Sequence, residues 1–269
     1  MTELVLVKLG GSLITDKGAA AVPRLDVLER LSREIAQARP QMPERLLVGH
    51  GSGSFGHVAA AKHGIGSGQL GPSSGFGISE TRAAAAQLHQ LVTEQFLGAG
   101  LKPFSWAPSS ALISRAGRPV SGEVGPLVSA LALDLMPVVY GDVVMDRQWG
   151  ASICSTEATL QYLVGRLQRR GLVVRRVLWL GATDGIYGRD GQAIPIVHRS
   201  NHRQVRKAIG ATAGTDVTGG MLLRLETARW LAHRGVESWI VNGLTPELLT
   251  AGLLGEKLPG TCYLAETNR

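Results

Sequence analysis

The run LVLVKL at residues 4–9 is short, apolar except for Lys8, and ends at Gly10-Gly11. Such a run, bounded by glycine, suits a strand buried on both faces of a parallel sheet. Behind Pro23, residues 24–38 (RLDVLERLSREIAQA) have helical periodicity, and RLLVG at 45–49 is a second apolar run. Strand, helix, strand is a βαβ unit with a right-handed crossover. A parallel sheet needs helices on both faces, so the rest of the chain must keep alternating.

It does. A long helix is expected over 78–100, a strand at 102–108, a hairpin at 115–125, and a helix end and two strands around Gly141-Asp142 over 132–146. The segment 155–171 reads as a helix capped by Ser155 or Thr156, with Glu157 in its first turn. Residues 175–188 give a strand and a turn carrying Asp184. A glycine turn enters a helix over 216–235, and strand, helix and strand follow at 237–243, 245–255 and 260–266. The pattern predicts an α/β three-layer sandwich with a mostly parallel central sheet. In such sheets ligands lie at the carboxyl ends of the strands, where the glycine turns recur. The glycine-rich stretch 64–77 reads as a lid or substrate loop.

The chain has 269 residues and is 44% hydrophobic, enough for one large domain or two joined lobes. No run of eighteen apolar residues predicts a transmembrane helix. The opening MTELVLVKLGGS lacks the features of a signal peptide, so a cytoplasmic protein is expected. Cys154 and Cys262 have no metal-ligand spacing and read as buried free thiols. The net charge of +7 favours an anionic partner. Basic residues are scattered on helices, and the group RLQRRGLVVRR (166–176) reads as a solvated helix face. Without basic–aromatic interleaving there is no case for nucleic acid, and a small phosphorylated ligand fits the charge. Lysine is scarce, yet Lys8 and Lys17 both fall near the start, beside glycines.

KLGGS (8–12) places Lys8, Gly10, Gly11 and Ser12 after a buried strand, where glycine amides can approach an anion closely. By itself the stretch is equally a tight turn with a surface lysine. HGSGSFGH (50–57) repeats the pattern: Gly51, Ser52 and Gly56 offer loop donors, and His57 can add an imidazole N–H. His50 follows the strand directly and reads as structural, with its ring tied to a backbone group. In DVTGGM (216–221), Asp216 or Thr218 can cap the next helix, and Gly219 leaves its amide end open. Asp142 and Asp184 each follow an apolar strand. They can orient lysines or a metal's water shell, or simply form turns.

KLGGS, HGSGSFGH, YGDVV, ATDGIY and DVTGGM, in this order, resemble the amino acid kinase superfamily. KLGGSLITDK, GSFGH and DVTGGM together resemble its isopentenyl phosphate kinase family, over residues 4 to about 264. The resemblance implies ATP and Mg²⁺ as cofactors, an isoprenoid monophosphate as substrate, and a homodimer, for which helices 24–38 and 78–98 are candidates to pack across the interface. An N-terminal lobe to about residue 170 would bind the acceptor and residues 171–269 the nucleotide. Lys8, Gly10, Gly11, Ser12 and Ser52 would bind ATP phosphates, and Lys17 would reach the γ-phosphoryl group. Gly51, Gly56 and His57 would hold the acceptor phosphate, Asp142 would organise the lysines, and Asp184 and Gly219 would border the nucleotide. Phe76 and Ile78 would line the isoprenoid tail. Two departures stand out: Arg224 replaces the family's usual lysine, and STEA (155–158) replaces an SGDD-like stretch.

A phosphate monoester has a second pKa of about 6, so as acceptor it is already nucleophilic at neutral pH and needs no base. No strand-end carboxylate is expected beside the glycine loop, which makes His57 a hydrogen-bond donor. A fosfomycin-type phosphonate kinase and a non-catalytic nucleotide sensor of the same fold remain the alternatives.

Overall fold

The computed structural model describes residues 2–16, 18–66, 74–211 and 220–266, with the backbone alone at 210 and 211. The chain opens with β1 (Glu3–Leu9), the short helix α1 (Gly11–Ile14), α2 (Leu25–Ala38) and β2 (Arg45–His50). α3 (Gly53–Lys62), α4 (Gly75–Gly98), β3 (Pro103–Ser105) and α5 (Pro108–Ala111) follow. Then come the hairpin β4 (Leu112–Arg115) and β5 (Arg118–Gly122), α6 (Gly125–Ala132), β6 (Met136–Tyr140), β7 (Asp142–Asp146) and β8 (Gly150–Cys154). The remainder is α7 (Thr156–Arg169), β9 (Val173–Gly181), β10 (Ile196–Val197), α8 (His202–Ala211), α9 (Gly220–Ala232), β11 (Glu237–Asn242), α10 (Leu248–Leu253) and β12 (Thr261–Tyr263). Sequence reading had not separated β8, β10 and α8. β8, GASIC, is short and lacks apolar alternation, and α8 is mostly polar.

The main sheet has eight strands in the order β10-β12-β11-β9-β1-β2-β6-β3. Neighbours are parallel except β11 and β12. Because β9 pairs with β1, the sheet runs unbroken across the boundary expected near residue 170. A second sheet, β5-β4-β7-β8, stands beside it. No helix among the described residues is long and apolar enough to cross a membrane.

The period of two in β1 divides the core. Leu4 and Leu6 pack with Leu160, Leu163 and Leu167 of α7 and with Leu225 and Leu231 of α9. Val5, Val7 and Leu9 face the other way, onto Leu28 and Leu31 of α2 and Leu88 and Val92 of α4. This is the three-layer sandwich, and it fixes where polar residues at the strand ends go. Lys8 shares the face of Leu4 and Leu6, toward α7 and α9. His50, in register with Leu9, shares the opposite face, toward α4.

At the carboxyl edge the adjacent strands each meet a glycine: β9 ends at Gly181, and β1, β2 and β6 are followed by Gly10, Gly51 and Gly141. The ladder runs one step further there: Gly10 N donates to Leu180 O (2.8 Å), Gly51 N to Leu9 O (3.0 Å) and Gly141 N to His50 O (3.0 Å). The turns after β1 and β2 then touch backbone to backbone. A Cβ on Gly11 would lie 2.6 Å from Gly53 N, and one on Gly51 would lie 2.7 Å from Gly11 N. Thr15 ties them together: its hydroxyl donates to Gly11 O (2.8 Å) and accepts from Ser54 N (3.0 Å).

Gly11→Ala forces these turns apart. It is expected to lower unfolding free energy by about 1–3 kcal/mol, the usual cost of overpacking, measured as a shift in the urea midpoint with an unchanged slope.

Candidate active site

The edge of the main sheet carries two glycine turns, some of whose amides face outward unpaired. Among the described residues, the amides of Gly11, Ser12 and Ser52 donate to no acceptor. They sit at the entries to α1 and α3, where unpaired N–H groups favour negative charge. Lys17 and Gly219 lie outside the described residues, as do Asp216, Thr218 and most of the glycine-rich stretch before α4.

Lys8 is 4% exposed. Its Nζ lies 2.8 Å from Glu157 Oε1, in the first turn of α7. Ser155 caps that helix by accepting from Ala158 N (3.1 Å), and α7 meets the face of β1 on which Lys8 stands. Arg224 of α9 brings its Nε to 3.6 Å from the same carboxylate oxygen. That Nε is buried and has no hydrogen-bond acceptor among the described residues. The guanidinium also crosses the end of β9, so a Cβ on Gly181 would lie 3.0 Å from its Nη1. Two cations thus share one carboxylate, which leaves an excess of positive charge at the end of β1. Burial pushes the Lys8 ammonium below its ordinary value; Glu157 opposes this, and Arg224 adds to it. Burial raises the Glu157 carboxyl, but Lys8 and Arg224 together outweigh it and hold the group at about 2.

Asp142 had been expected to organise the lysines. That expectation is corrected for Lys8: Glu157 holds it, because α7 and not β7 covers its face of β1. Asp142 is buried, its Oδ2 accepting from Ser109 N (3.0 Å) and its Oδ1 from Val143 N (2.8 Å). Burial pushes its carboxyl up, against the Ser109 and Val143 bonds.

Beyond the second glycine turn, a cleft opens between α3, α4 and β7. Ser52, Gly56 and His57 line one end, with Asp142 beside them, and Ala60, Ala85, Val143 and Ile153 give the apolar wall. The expectation of no strand-end carboxylate beside the glycine loop is therefore also corrected. His57 is exposed, and its imidazole ring makes no hydrogen bond among the described residues. Ile78 packs with Ile153 against the small cluster of Ala60, Ile65, Val143 and Ala151. Phe76 does not line the cleft. α4 begins at Gly75, and its phase turns Gly77, Thr81 and Ala85 inward, leaving Phe76 74% exposed, edge-on to His63 at 5.9 Å.

Asp184 is exposed in the turn after β9, two strands from the cleft; it accepts from Asn242 Nδ2 (2.8 Å) and Tyr187 Oη (3.2 Å). His50 is fully buried, with its ring against Gly51 O and His89. Sequence reading missed Glu157 as the partner of Lys8, and it missed Thr15, Ile153 and His89. The one available signal was the parity of β1, which sends Lys8 toward the helix that begins at Ser155.

Glu157→Gln leaves Lys8 and Arg224 buried without their counter-charge, and is expected to cost about 3–5 kcal/mol of stability at neutral pH. The depressed folded-state pKa makes the wild-type contribution full above about pH 4.5. It is lost as pH falls toward about 2. The stability gap between wild type and variant should therefore close across that window in urea titrations at stepped pH.

The model of the Amino acid kinase family matches residues 3–242. The isopentenyl phosphate kinase of Methanothermobacter thermautotrophicus is 33% identical, over 96% of this chain and 98% of its own. That of Methanocaldococcus jannaschii is 28% identical, over 94% of this chain and 96% of its own. A solved isopentenyl phosphate kinase superposes with a TM-score of 0.80 at 30% identity, covering 96% of this chain and 99% of that one. A chain with these turns, this lysine at the end of β1 and this extent of likeness belongs to the amino acid kinase family, among the isopentenyl phosphate kinases.

Proposed function

We propose that the protein transfers the γ-phosphoryl group of ATP to the phosphate of isopentenyl phosphate, giving isopentenyl diphosphate. The observation that carries this reading is the cleft on the second glycine turn. The Ser52 amide, expected among the ATP-phosphate donors, lies free in this cleft and with Gly56 and His57 suits a phosphate, while the Ala60, Ala85, Val143 and Ile153 side of the lining suits a short hydrocarbon. A small polar phosphonate such as fosfomycin would leave that wall unmatched.

The first turn fits the phosphates of a nucleotide. Lys8 and Arg224 exceed Glu157 by one charge, Arg224 Nε is buried without an acceptor, and the Gly11 and Ser12 amides are free. Arg224 keeps the charge of the family's lysine and can grip phosphate through two N–H groups. Lys17 would follow the transferring group, and Asp184 would border the nucleotide. Among the described residues no three acidic, histidine or cysteine side chains gather to hold a metal. Mg²⁺ would therefore be held by the nucleotide's own phosphates, where it offsets charge that otherwise repels the acceptor.

Transfer then needs positioning and charge stabilisation more than covalent help. The two turns touch through Gly11 and Gly53, so donor and acceptor phosphates would be held from adjacent strands. His57 donates to the acceptor phosphate and orients it. One observation favours a second reading: Asp142, with its raised pKa, stands in the cleft where an alcohol acceptor would need a base. Both of its oxygens already accept amide hydrogens, and a phosphate acceptor needs no base.

A coupled ADP-release assay with isopentenyl phosphate, dimethylallyl phosphate and fosfomycin tests the assignment; turnover of the isoprenoid phosphates and none of fosfomycin is expected. Under this reading Asp142→Asn lowers kcat by less than about tenfold, whereas loss of a general base would cost about 10²–10⁴-fold. His57→Gln, which keeps a donor, should retain more activity than His57→Ala, and equal losses would remove the donor role.

A further inference from the structure

Behind the second glycine turn lies a polar chain, buried at its two histidines, that the transfer chemistry does not use. His50 Nδ1 is 3.1 Å from Gly51 O, and its Nε2 is 3.0 Å from His89 Nδ1 on α4. His89 Nε2 is 2.8 Å from Ser105 Oγ at the end of β3. Tyr140 stacks on both rings, at 5.7 Å from His50 and 4.2 Å from His89. Register brings them together: His50 pairs with Tyr140, and Ser105 with Val138 on the same face of β6.

The chain has one consistent direction. A carbonyl oxygen only accepts, so His50 Nδ1 carries the hydrogen. A neutral imidazole has one N–H, so His50 Nε2 accepts from His89 Nδ1, and His89 Nε2 accepts from the Ser105 hydroxyl. Both rings are neutral. Burial, with His89 nearby, pushes His50 down to about 3, and burial pushes His89 to about 4.

The peptide planes around this turn are held by other means. Gly51 N donates to Leu9 O (3.0 Å), His50 O accepts from Gly141 N (3.0 Å) and from Thr156 Oγ1 (2.6 Å), and Ser52 O accepts from Gly56 N (3.2 Å). The plane between Gly51 and Ser52 has no backbone hydrogen bond among the described residues, and the His50 ring supplies its one partner. In a trans peptide the carbonyl and the following N–H point in opposite directions. Holding Gly51 O against the ring therefore turns the Ser52 N–H away from the core, and Ser52 lines the cleft.

We propose that His50, His89 and Ser105 form a positioning relay that locks the Gly51–Ser52 peptide so that the Ser52 amide donates to the acceptor's phosphate. The relay rests on the reading of the cleft as an acceptor-phosphate site. These are positioning residues: none of them touches the ligand.

Imidazole ¹⁵N NMR of the wild-type protein is expected to show both rings neutral and protonated at Nδ1 at pH 7. A hydrogen on His50 Nε2 overturns the relay whatever the substrate is. His50→Leu should raise KM for isopentenyl phosphate about tenfold, the worth of one hydrogen bond, and leave KM for ATP unchanged. His50→Asn, whose amide nitrogen can take the place of Nδ1, should recover most of that loss. His89→Leu, which leaves the Gly51 partner in place but unfixes its tautomer, should fall between them. Equal rises in both KM values, or equal loss in His50→Leu and His50→Asn, overturn the proposal. Inorganic phosphate serves as a second probe, by calorimetry with ADP saturating: binding to His50→Leu should weaken about tenfold, and unchanged binding overturns the relay. If the wild-type protein does not turn over isopentenyl phosphate, the functional reading fails, and the NMR and phosphate measurements still decide the relay.

Discussion

A lysine one residue from the end of a central parallel strand has strands on both sides and a helical layer above. Burying its charge alone costs several kcal/mol, and a partner is needed within reach. The period of β1 sends Lys8 toward α7, and the first turn of that helix supplies Glu157 at 2.8 Å. The helix dipole favours a carboxylate there. Arg224 then closes on the same oxygen from α9. The cluster links the strand that carries the first glycine turn to both helices on that face of the sheet. It also leaves surplus positive charge at the sheet edge, which favours an anion there.

The same period governs the opposite face. His50, Tyr140 and Ser105 arrive there because their strands are in register, and α4 completes the group with His89. The sheet thus sorts its polar residues into two kinds of work. Charges that attract an anion stand on the α7 and α9 side, and neutral groups that shape the backbone stand on the α4 side. Between them the strand-end glycines leave the edge without side chains, so the main chain itself can meet a ligand.

Much of this was legible in the sequence, for physical reasons. Apolar runs ending in glycine mark buried parallel strands, so β1, β2, β6 and β9 and the turns after them are read from local pattern. KLGGS and the loop ending at His57 announce themselves in the same way. What stayed hidden depends on how distant elements meet. Glu157 reads locally as an ordinary first-turn acid, and its pairing with Lys8 emerges only when strand parity is combined with the layer that α7 occupies. Phe76 entered the expected pocket through the family resemblance alone; the phase of α4, with Gly77, Thr81 and Ala85 inward, turns it to solvent instead. β8 escaped because GASIC has no run of large apolar residues, yet it brings Ile153 to the cleft.

The contact between Gly11 and Gly53, fastened by the Thr15 hydroxyl, has a mechanical consequence. Two backbones packed without side chains between them cannot slide or part by small steps. No hinge can pass between the two turns, so they form a single rigid anvil. Any closure around bound molecules must come from the elements above it, such as α3, α4 and the turns at the far side of the sheet. Under the proposed function, the spacing of donor and acceptor phosphates is thus built in before either is bound.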